Sequence, residues 1–269
     1  MNKRIEQAYE KRPKNWVYNT CIAVITIGLI IWSCSAVEAT GAADGSGTIA
    51  KNIIKGLFTP DLGFLFDFST SGVPYLMLET ICIAFLGTIV GAIISIPLAF
   101  VSANNLVPRP IAFIGRIALM AIRTIPAFVY GLMFIRVTGP GAFAGLLTMG
   151  VCSIGMITKM YTEAIEDLDV HVIESLDAAG CNTWQKILYG ILPQLMPNFA
   201  STAIYRFDIN LRDATILGLV GAGGFGAPLI FAMNAYRWNE AGAILAGLII
   251  LILIIEYIST KIRTKLTRG

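Results

Sequence analysis

Runs of apolar residues long enough to cross a lipid bilayer limit the folds open to this chain more than any other feature. The hydrocarbon core of a bilayer is about 30 Å thick, so a crossing helix needs about 20 mostly apolar residues. With 56% hydrophobic and 14% charged residues among 269, the chain has several such runs. We predict an all-α polytopic membrane protein with spans at about residues 17–37, 76–101, 111–135, 141–158, 196–217 and 241–258.

The fourth and fifth of these spans are the least regular. The fourth is short and the fifth carries charges, so five spans plus one re-entrant segment is the competing count. No repeat of 20–50 residues and no low-complexity linker divides the sequence, which favours one transmembrane domain over residues 1–269. The first span has a basic flank and an Ala-rich exit, as signal peptides do, but the spans that follow it favour a retained anchor helix.

The distribution of Lys and Arg predicts the orientation, because cytoplasmic loops of membrane proteins are enriched in these residues. With both termini inside, thirteen basic residues fall on the inner side and five on the outer side. Both termini and the polar segment of residues 159–197 are therefore predicted to be cytoplasmic. The net charge of +3 requires no nucleic-acid partner, since anionic lipids of the bilayer attract basic residues that flank spans.

The polar segment of residues 159–197 begins with the pattern of a short helix. Asp169 suits the N-cap position, and a helix over residues 170–179 would follow it. Gly180 suits the left-handed position that ends such a helix. An apolar face flanked by Glu174 could fit a groove on a soluble partner or lie on the bilayer surface, and both interpretations stay open at this point.

A second short helix is predicted directly after the first. Asn182 with Gln185 three residues later forms the pattern of a capping box. We expect Pro193 and Pro197 to end this helix before the next span. Its apolar residues recur at the spacing of one helix face: Trp184, Ile187, Leu188 and Ile191.

This segment resembles the EAA loop of permease subunits of bacterial ABC importers. Glu174 is followed six residues later by Gly180, and Pro193 stands thirteen residues beyond that glycine. The two alanines usual after the glutamate are Ser175 and Leu176 here, so a small residue remains at 175. The resemblance implies a pair of coupling helices that sits in a cleft of a separate ATP-hydrolysing subunit. The coupling residues it implies are Glu174, Ser175, Ala179, Gly180, Trp184, Ile191 and Pro193.

Roughly residues 74–260 resemble one branch of that family, the phosphonate importer permeases. The stretches that carry the resemblance are 123–128, 139–145, 153–156, 159–166 and 205–226. The resemblance implies a type I ABC importer permease fold in the bacterial plasma membrane, with phosphonate or phosphite as cargo. It also implies three partners: a pair of ATPase subunits, a periplasmic or lipid-anchored substrate-binding protein, and a second copy of this chain.

Other functions compete with this interpretation. Methionine or betaine is the alternative cargo within the importer class, and an ion-driven secondary transporter is the alternative outside it. A secondary transporter often shows paired half-repeats, which this sequence lacks. An intramembrane enzyme is disfavoured because His171 is the single histidine and lies in the polar segment. We therefore expect no catalytic residues, no metal site and no cofactor on this chain, with ATP bound by the partner ATPase.

Charged residues inside the predicted spans are candidates for a translocation pathway. Such groups are costly at membrane depth and usually face a cavity or a partner. Arg123 lies in mid-span near Pro126, which is expected to kink the helix. An arginine guanidinium matches a phosphorus oxyanion in charge and geometry. The alternative is structural neutralisation between neighbours in the fifth span: Arg206 with Asp208, and Arg212 with Asp213.

Glycines between residues 221 and 226 formally match the Gly-x-Gly-x-x-Gly pattern of dinucleotide sites. No strand–helix–strand unit surrounds them, and no Lys-Ser/Thr pair follows, so neither a dinucleotide nor ATP is expected to bind here. A tight re-entrant turn between the last two spans fits better. The predicted pathway residues are Arg123, Pro126, Arg206, Arg212, Gly221, Gly223, Gly224 and Gly226.

Overall fold

The computed structural model describes residues 16–36 and 46–268. Every regular element in these residues is helical, as predicted. In chain order the helices are α1 (Trp16–Ala36), α2 (Ser46–Phe58), α3 (Leu62–Leu65), α4 (Val73–Ser102), α5 (Arg109–Thr124), α6 (Ala127–Thr138), α7 (Ala142–Glu166), α8 (Val170–Ala178), α9 (Thr183–Gln185), a π-helical segment (Lys186–Ile191), α10 (Leu192–Gly218), α11 (Gly226–Asn234) and α12 (Trp238–Arg268).

Contacts within the chain divide it into two units, residues 1–49 and 50–269. The first unit contains α1, an apolar helix of 21 residues whose side chains are all exposed. It corresponds to the predicted anchor helix, of which residue 37 lies outside the described residues. The basic residues before position 15, which support the predicted orientation, also lie outside them.

Four helices of the described residues qualify as membrane spans by length and composition, or five segments if a bent helix pair is counted as one span. Four are single helices, α1, α4, α7 and α12, and the fifth is the pair α5 and α6, bent by 82° at its break. The fifth predicted span, residues 196–217, corresponds to α10, which is long enough at 27 residues. Four charged residues between Arg206 and Asp213 make it too polar to qualify.

The helices α4 and α7 pack closely along their length. Gly87 and Gly91 of α4 face Met149 and Ser153 of α7, and a Cβ on either glycine would overlap the facing side chain. The Gly-x-x-x-Gly spacing therefore permits the close helix contact that the sequence predicts. α10 packs against both helices, so α4, α7 and α10 together form the core of the second unit.

A cluster of buried aromatic and aliphatic side chains holds the start of α10 against α4 and α7. The ring of Tyr161 stacks on Phe199 with the ring centroids 4.0 Å apart, and its hydroxyl donates to the Phe199 carbonyl at 3.1 Å. Ile191, at the end of the π-helical segment, is fully buried in the same cluster. The segment that precedes α10 is thus anchored in the core of the second unit.

Candidate functional site

Residues 167–191 form a helical hairpin between α7 and α10. The N–H of His171 donates to the Asp169 carboxylate at 3.0 Å, which caps α8 as predicted. Gly180 has a φ of 77°, the left-handed conformation expected after the helix end. The hairpin is shorter than the polar segment 159–197, because residues 159–166 continue α7 and residues 192–197 already belong to α10.

The second half of the hairpin starts with the predicted capping box. The N–H of Asn182 donates to Gln185 Oε1 at 2.8 Å, and the N–H of Gln185 donates to Asn182 Oδ1 at 2.9 Å. The prediction that Pro193 and Pro197 end this helix is wrong, because both lie within α10. The wider π turns end just before Pro193, so the proline follows an already irregular stretch of helix.

Contacts inside the hairpin hold its two halves together. The Leu176 side chain covers Gly190, where a Cβ would overlap it, and Lys186 forms an ion pair with Asp177. The predicted apolar stripe does not form one outer face. Ile191 is fully buried, whereas Trp184 is 80% exposed.

The remaining residues that the resemblance assigns to coupling lie at the surface of the hairpin or beside it. Glu174 is exposed and pairs with His171, whose Nδ1 lies 3.2 Å from Glu174 Oε2. The other exposed members are Ser175, Ala179, Gly180, Trp184 and Pro193. Five of these six flank the turn at Gly180, so they could contact one partner surface together, with Ile191 anchoring the hairpin from inside.

The bend between α5 and α6 is sharper than the predicted kink. α5 ends at Thr124, and Ile125 is extended, with a φ of −86° and a ψ of 121°. A residue before proline is pushed towards this extended region, so Pro126 breaks the helix instead of only bending it. The hydroxyl of Tyr130 donates to the Ile122 carbonyl at 3.1 Å across the break.

A cavity of about 240 Å³ lies at this bend, and both Arg123 and Arg206 line it. The stem of Arg123 packs on α7 at Gly155, where a Cβ would lie 2.7 Å from Arg123 Cγ. Within the described residues the Arg123 guanidinium forms no hydrogen bond or ion pair. Its charge is therefore available to a ligand. The remaining lining residues are Ile122, Ile125, Pro126, Ala127, Cys152 and Met156.

Arg206 is buried and held by several partners. Its Nε donates to Ser153 Oγ at 3.3 Å and its Nη1 lies 3.2 Å from Met156 Sδ. Its Nη2 lies 3.9 Å from Asp213 Oδ2. Ser153 also accepts a hydrogen bond of 2.7 Å from Asn210 Nδ2. These contacts fix the guanidinium at the cavity wall.

The ion pairs of α10 differ from the neighbour pairs considered from the sequence. Arg206 faces Asp213, and Arg212 pairs with Asp208 at 3.0 Å and with Glu256 of α12 at 3.3 Å. Residues one or two positions apart point to different sides of a helix, whereas residues four or seven apart share a side. Arg212 consequently lies outside the cavity that Arg123 and Arg206 share.

The glycine-rich segment forms the predicted tight turn, at a different place from the arginine cavity. Gly221, Gly223 and Gly224 have φ values of 93°, 84° and 72°, a conformation that favours glycine. A Cβ at Gly224 would lie 2.6 Å from Thr80 Oγ1, so the turn packs closely on α4. Gly226 begins α11, and none of these four glycines lines the arginine cavity.

Sequence reasoning missed an ion pair that joins three helices next to the hairpin. Arg116 of α5 pairs with Glu166 at the end of α7, and its Nε donates to the Ser102 carbonyl of α4 at 3.1 Å. The Glu166 carboxylate also accepts from the Asn104 N–H at 2.6 Å. The sequence offered no signal for this pair, because Arg116 and Glu166 lie 50 positions apart.

Comparisons with known proteins show the family to which the chain belongs. The family model described as binding-protein-dependent transport system inner membrane component matches residues 95–263. Phosphite transport system permease protein PtxC of Stutzerimonas stutzeri is 36% identical over 188 residues, which cover 70% of this chain and 68% of that protein. Phosphate-import permease protein PhnE of Mycolicibacterium smegmatis is 32% identical over 225 residues, 83% of this chain and 41% of that protein.

A solved structure supports the same fold. A chain of the MetNI methionine ABC transporter, in an inward-facing conformation, superposes with a TM-score of 0.63 at 21% identity, covering 72% of this chain and 95% of that one. The fold is thus the type I ABC importer permease fold, as the resemblance implies. The chain is a multi-pass membrane protein that belongs to the family of binding-protein-dependent transport system inner membrane components.

Proposed function

We propose that this chain is the permease subunit of an ATP-driven importer that moves phosphonate or phosphite across the bacterial plasma membrane. The observation that carries the proposal is the 36% identity to a phosphite transport permease over 70% of the chain. The cavity at the helix bend supports the cargo class, since Arg123 and Arg206 both line it. Arginine suits phosphorus oxyanions because its planar donors match their oxygens in geometry and charge.

The helical hairpin is the proposed docking element for the ATPase. Its exposed side chains flank the turn at Gly180, and its end at Ile191 is fixed in the buried cluster around Tyr161. The chain itself is proposed to be non-catalytic and to bind no cofactor, with ATP hydrolysed on a separate subunit. A homodimer would present two hairpins to the two ATPase subunits.

Movement of the hairpin would reach the cavity through α10. The helical path runs without a break from Thr183 through the π turns into α10, and Arg206 lies on that helix. When the ATPase subunits close on ATP, the hairpins of the two copies would be drawn together. Such a shift would change the position of Arg206 relative to Arg123 and so alter access to the cavity between them.

The proposed orientation puts both termini and the hairpin in the cytoplasm. The turn at Gly221–Gly226 would then lie towards the outer side, where a periplasmic or lipid-anchored binding protein would deliver the cargo. Pathway roles for Arg212 and for the glycines of this turn are part of the proposal. In this arrangement residues 1–269 act as one permease, with α1 as its anchor.

Uptake by a reconstituted complex tests the proposal. The chain would be co-purified with its ATPase and binding protein, placed in liposomes, and supplied with labelled phosphite, methylphosphonate, methionine or betaine. We expect ATP-dependent uptake of the phosphorus oxyanions alone. Uptake of methionine or betaine instead would make this an importer for another solute, and uptake without the ATPase would indicate an ion-driven transporter.

A further inference from the structure

Three arginines recur at every seventh position of α5. Arg109, Arg116 and Arg123 are spaced by two intervals of seven residues, and an α-helix turns by about 20° less than two full turns over that interval. The three side chains therefore leave the same side of the helix, about 10 Å apart along its axis. One charge every two turns on one side is a regular arrangement that a basic flank of a span does not require.

Successive cavities along that side of α5 share these arginines. The cavity at the helix bend is lined by Arg206 and Arg123. A second cavity of about 360 Å³ is lined by Arg123 and Arg116, and a third, open groove by Arg116 and Arg109. Neighbouring cavities therefore share one arginine in their walls, first Arg123 and then Arg116.

The series ends beside the helical hairpin. Asn105, just before α5, donates from Nδ2 to the Ile165 carbonyl at 2.8 Å, so the start of α5 lies next to the end of α7. Arg109 opens α5 and residue 167 opens the hairpin. The cavities therefore lead from the bend at Pro126 to the end of the molecule that carries the proposed ATPase-docking element.

Carboxylates compete for the basic residues of the second cavity. Glu166 pairs with Arg116, and Glu163 pairs with Lys159 at 3.3 Å. With Arg123 this cavity has three cations and two anions on its wall. The Glu166 carboxylate already accepts from Arg116 and from the Asn104 N–H, which shows that an oxyanion can be bound at this position.

We propose that Arg123, Arg116 and Arg109 form a ladder that passes an oxyanion from the cavity at the helix bend to the hairpin end of the molecule. Glu166 is the competing carboxylate at the middle position, and an arriving oxyanion displaces it from Arg116. Binding stays weak in the cavity at the bend and at the middle position because Arg206 and Arg116 are already paired there, so the anion is released to the next arginine. The identity of the oxyanion rests on the proposed function, while the ladder itself rests on the charges and cavities.

Accessibility of Cys152 tests the ladder without any cargo, because this thiol lines the cavity at the bend. Cys21, Cys34, Cys82 and Cys181 are first replaced by serine in the full chain, held in lipid nanodiscs. Cys152 is then modified with an anionic sulfonatoethyl or a cationic trimethylammonium methanethiosulfonate. Each rate is divided by the rate with a small free thiol. We expect a normalised preference of about tenfold for the anionic reagent.

Variants of the ladder decide the cause of this preference. Arg116→Gln and Arg123→Gln should each reduce it to about twofold or less, whereas Arg116→Lys and Arg123→Lys should keep most of it and show that the fold is intact. Glu166→Gln should increase it. Arg136→Gln is the matched control, since Arg136 is also an exposed arginine at a helix end but lines none of the three cavities.

The ladder is overturned if neither reagent is preferred, or if the preference survives Arg116→Gln and Arg123→Gln, or if Arg136→Gln abolishes it equally. These outcomes are separate from those of the uptake experiment. An anion preference that follows the ladder variants in a complex that imports no phosphorus oxyanion would refute the proposed cargo and leave the ladder standing. Phosphite uptake by a chain without anion preference at Cys152 would support the proposed cargo and refute the ladder.

Discussion

The helical hairpin and the arginine cavity differ in how their geometry is determined. The hairpin takes its shape from neighbours in sequence, with Asp169 and Asn182 capping two short helices and Gly180 separating them. The cavity is assembled from α5, α6, α7 and α10, and Arg206 contacts residues 50 or more positions away. The surface that we propose to contact a partner is thus built locally, whereas the charged cavity depends on tertiary packing.

The largest expected effect tests the dependence of the cavity on packing. Arg206→Gln removes a buried guanidinium that donates to Ser153 and faces the partly exposed Asp213, and losing a buried, charged hydrogen-bond partner costs on the order of 2 kcal/mol. We expect a clearly lower Tm in detergent and loss of uptake. The double variant Arg206→Gln/Asp213→Asn should recover much of the Tm but not the uptake. An unchanged Tm in the single variant would contradict the structural role of the pair.

Gly180→Val tests whether the hairpin depends on its own backbone. A β-branched residue at a φ of 77° is strained by roughly 1–2 kcal/mol, so the turn should open and ATPase binding should fall by more than tenfold. Gly139→Val is the matched control. Its φ is 86°, and, as at Gly180, a Cβ there would have no atom within 4 Å. Equal loss of ATPase co-purification in both variants would show that general strain, not the hairpin, is responsible.

Glu174→Lys tests charge on the hairpin surface while leaving its backbone unchanged. Reversing one exposed charge at an interface should weaken ATPase binding by about tenfold, and uptake should fall in parallel. Glu240→Lys is the control, because Glu240 also pairs with a basic residue three positions before it, at 3.0 Å, but lies on α12. Unchanged affinity for the ATPase in Glu174→Lys would remove this residue from the docking surface.

The smallest effect concerns the capping box alone. Asn182→Ala removes the acceptor for the Gln185 N–H, and loss of an N-cap side chain costs about 1 kcal/mol. Amide hydrogen exchange at residues 183–186 should become about five times faster. Exchange in α8 should not change, since Asp169 caps that helix independently. Faster exchange throughout both helices would show that the hairpin opens as one unit.

The sequence was sufficient where a structure depends on a few adjacent residues, and insufficient where distant helices meet. Both caps, the Gly180 turn and the helix break at Pro126 follow from local backbone preferences. Pro193 was expected to end the helix because proline usually does so. That expectation took no account of the π turns before Pro193, after which the chain continues as α10. The Arg116–Glu166 pair joins residues 50 positions apart, so only the packing of α5 on α7 reveals it.

The π-helical segment Lys186–Ile191 also sets the rotational phase between the hairpin and α10. Each π turn holds more residues than an α turn, so the segment contains one residue beyond what a regular helix over the same distance would need. Removing that residue would restore α geometry and rotate everything before it by about 100° around the helix axis. The number of residues in this segment therefore determines the direction in which Trp184 points relative to Arg206. The segment should tolerate changes of side chain but no insertion or deletion.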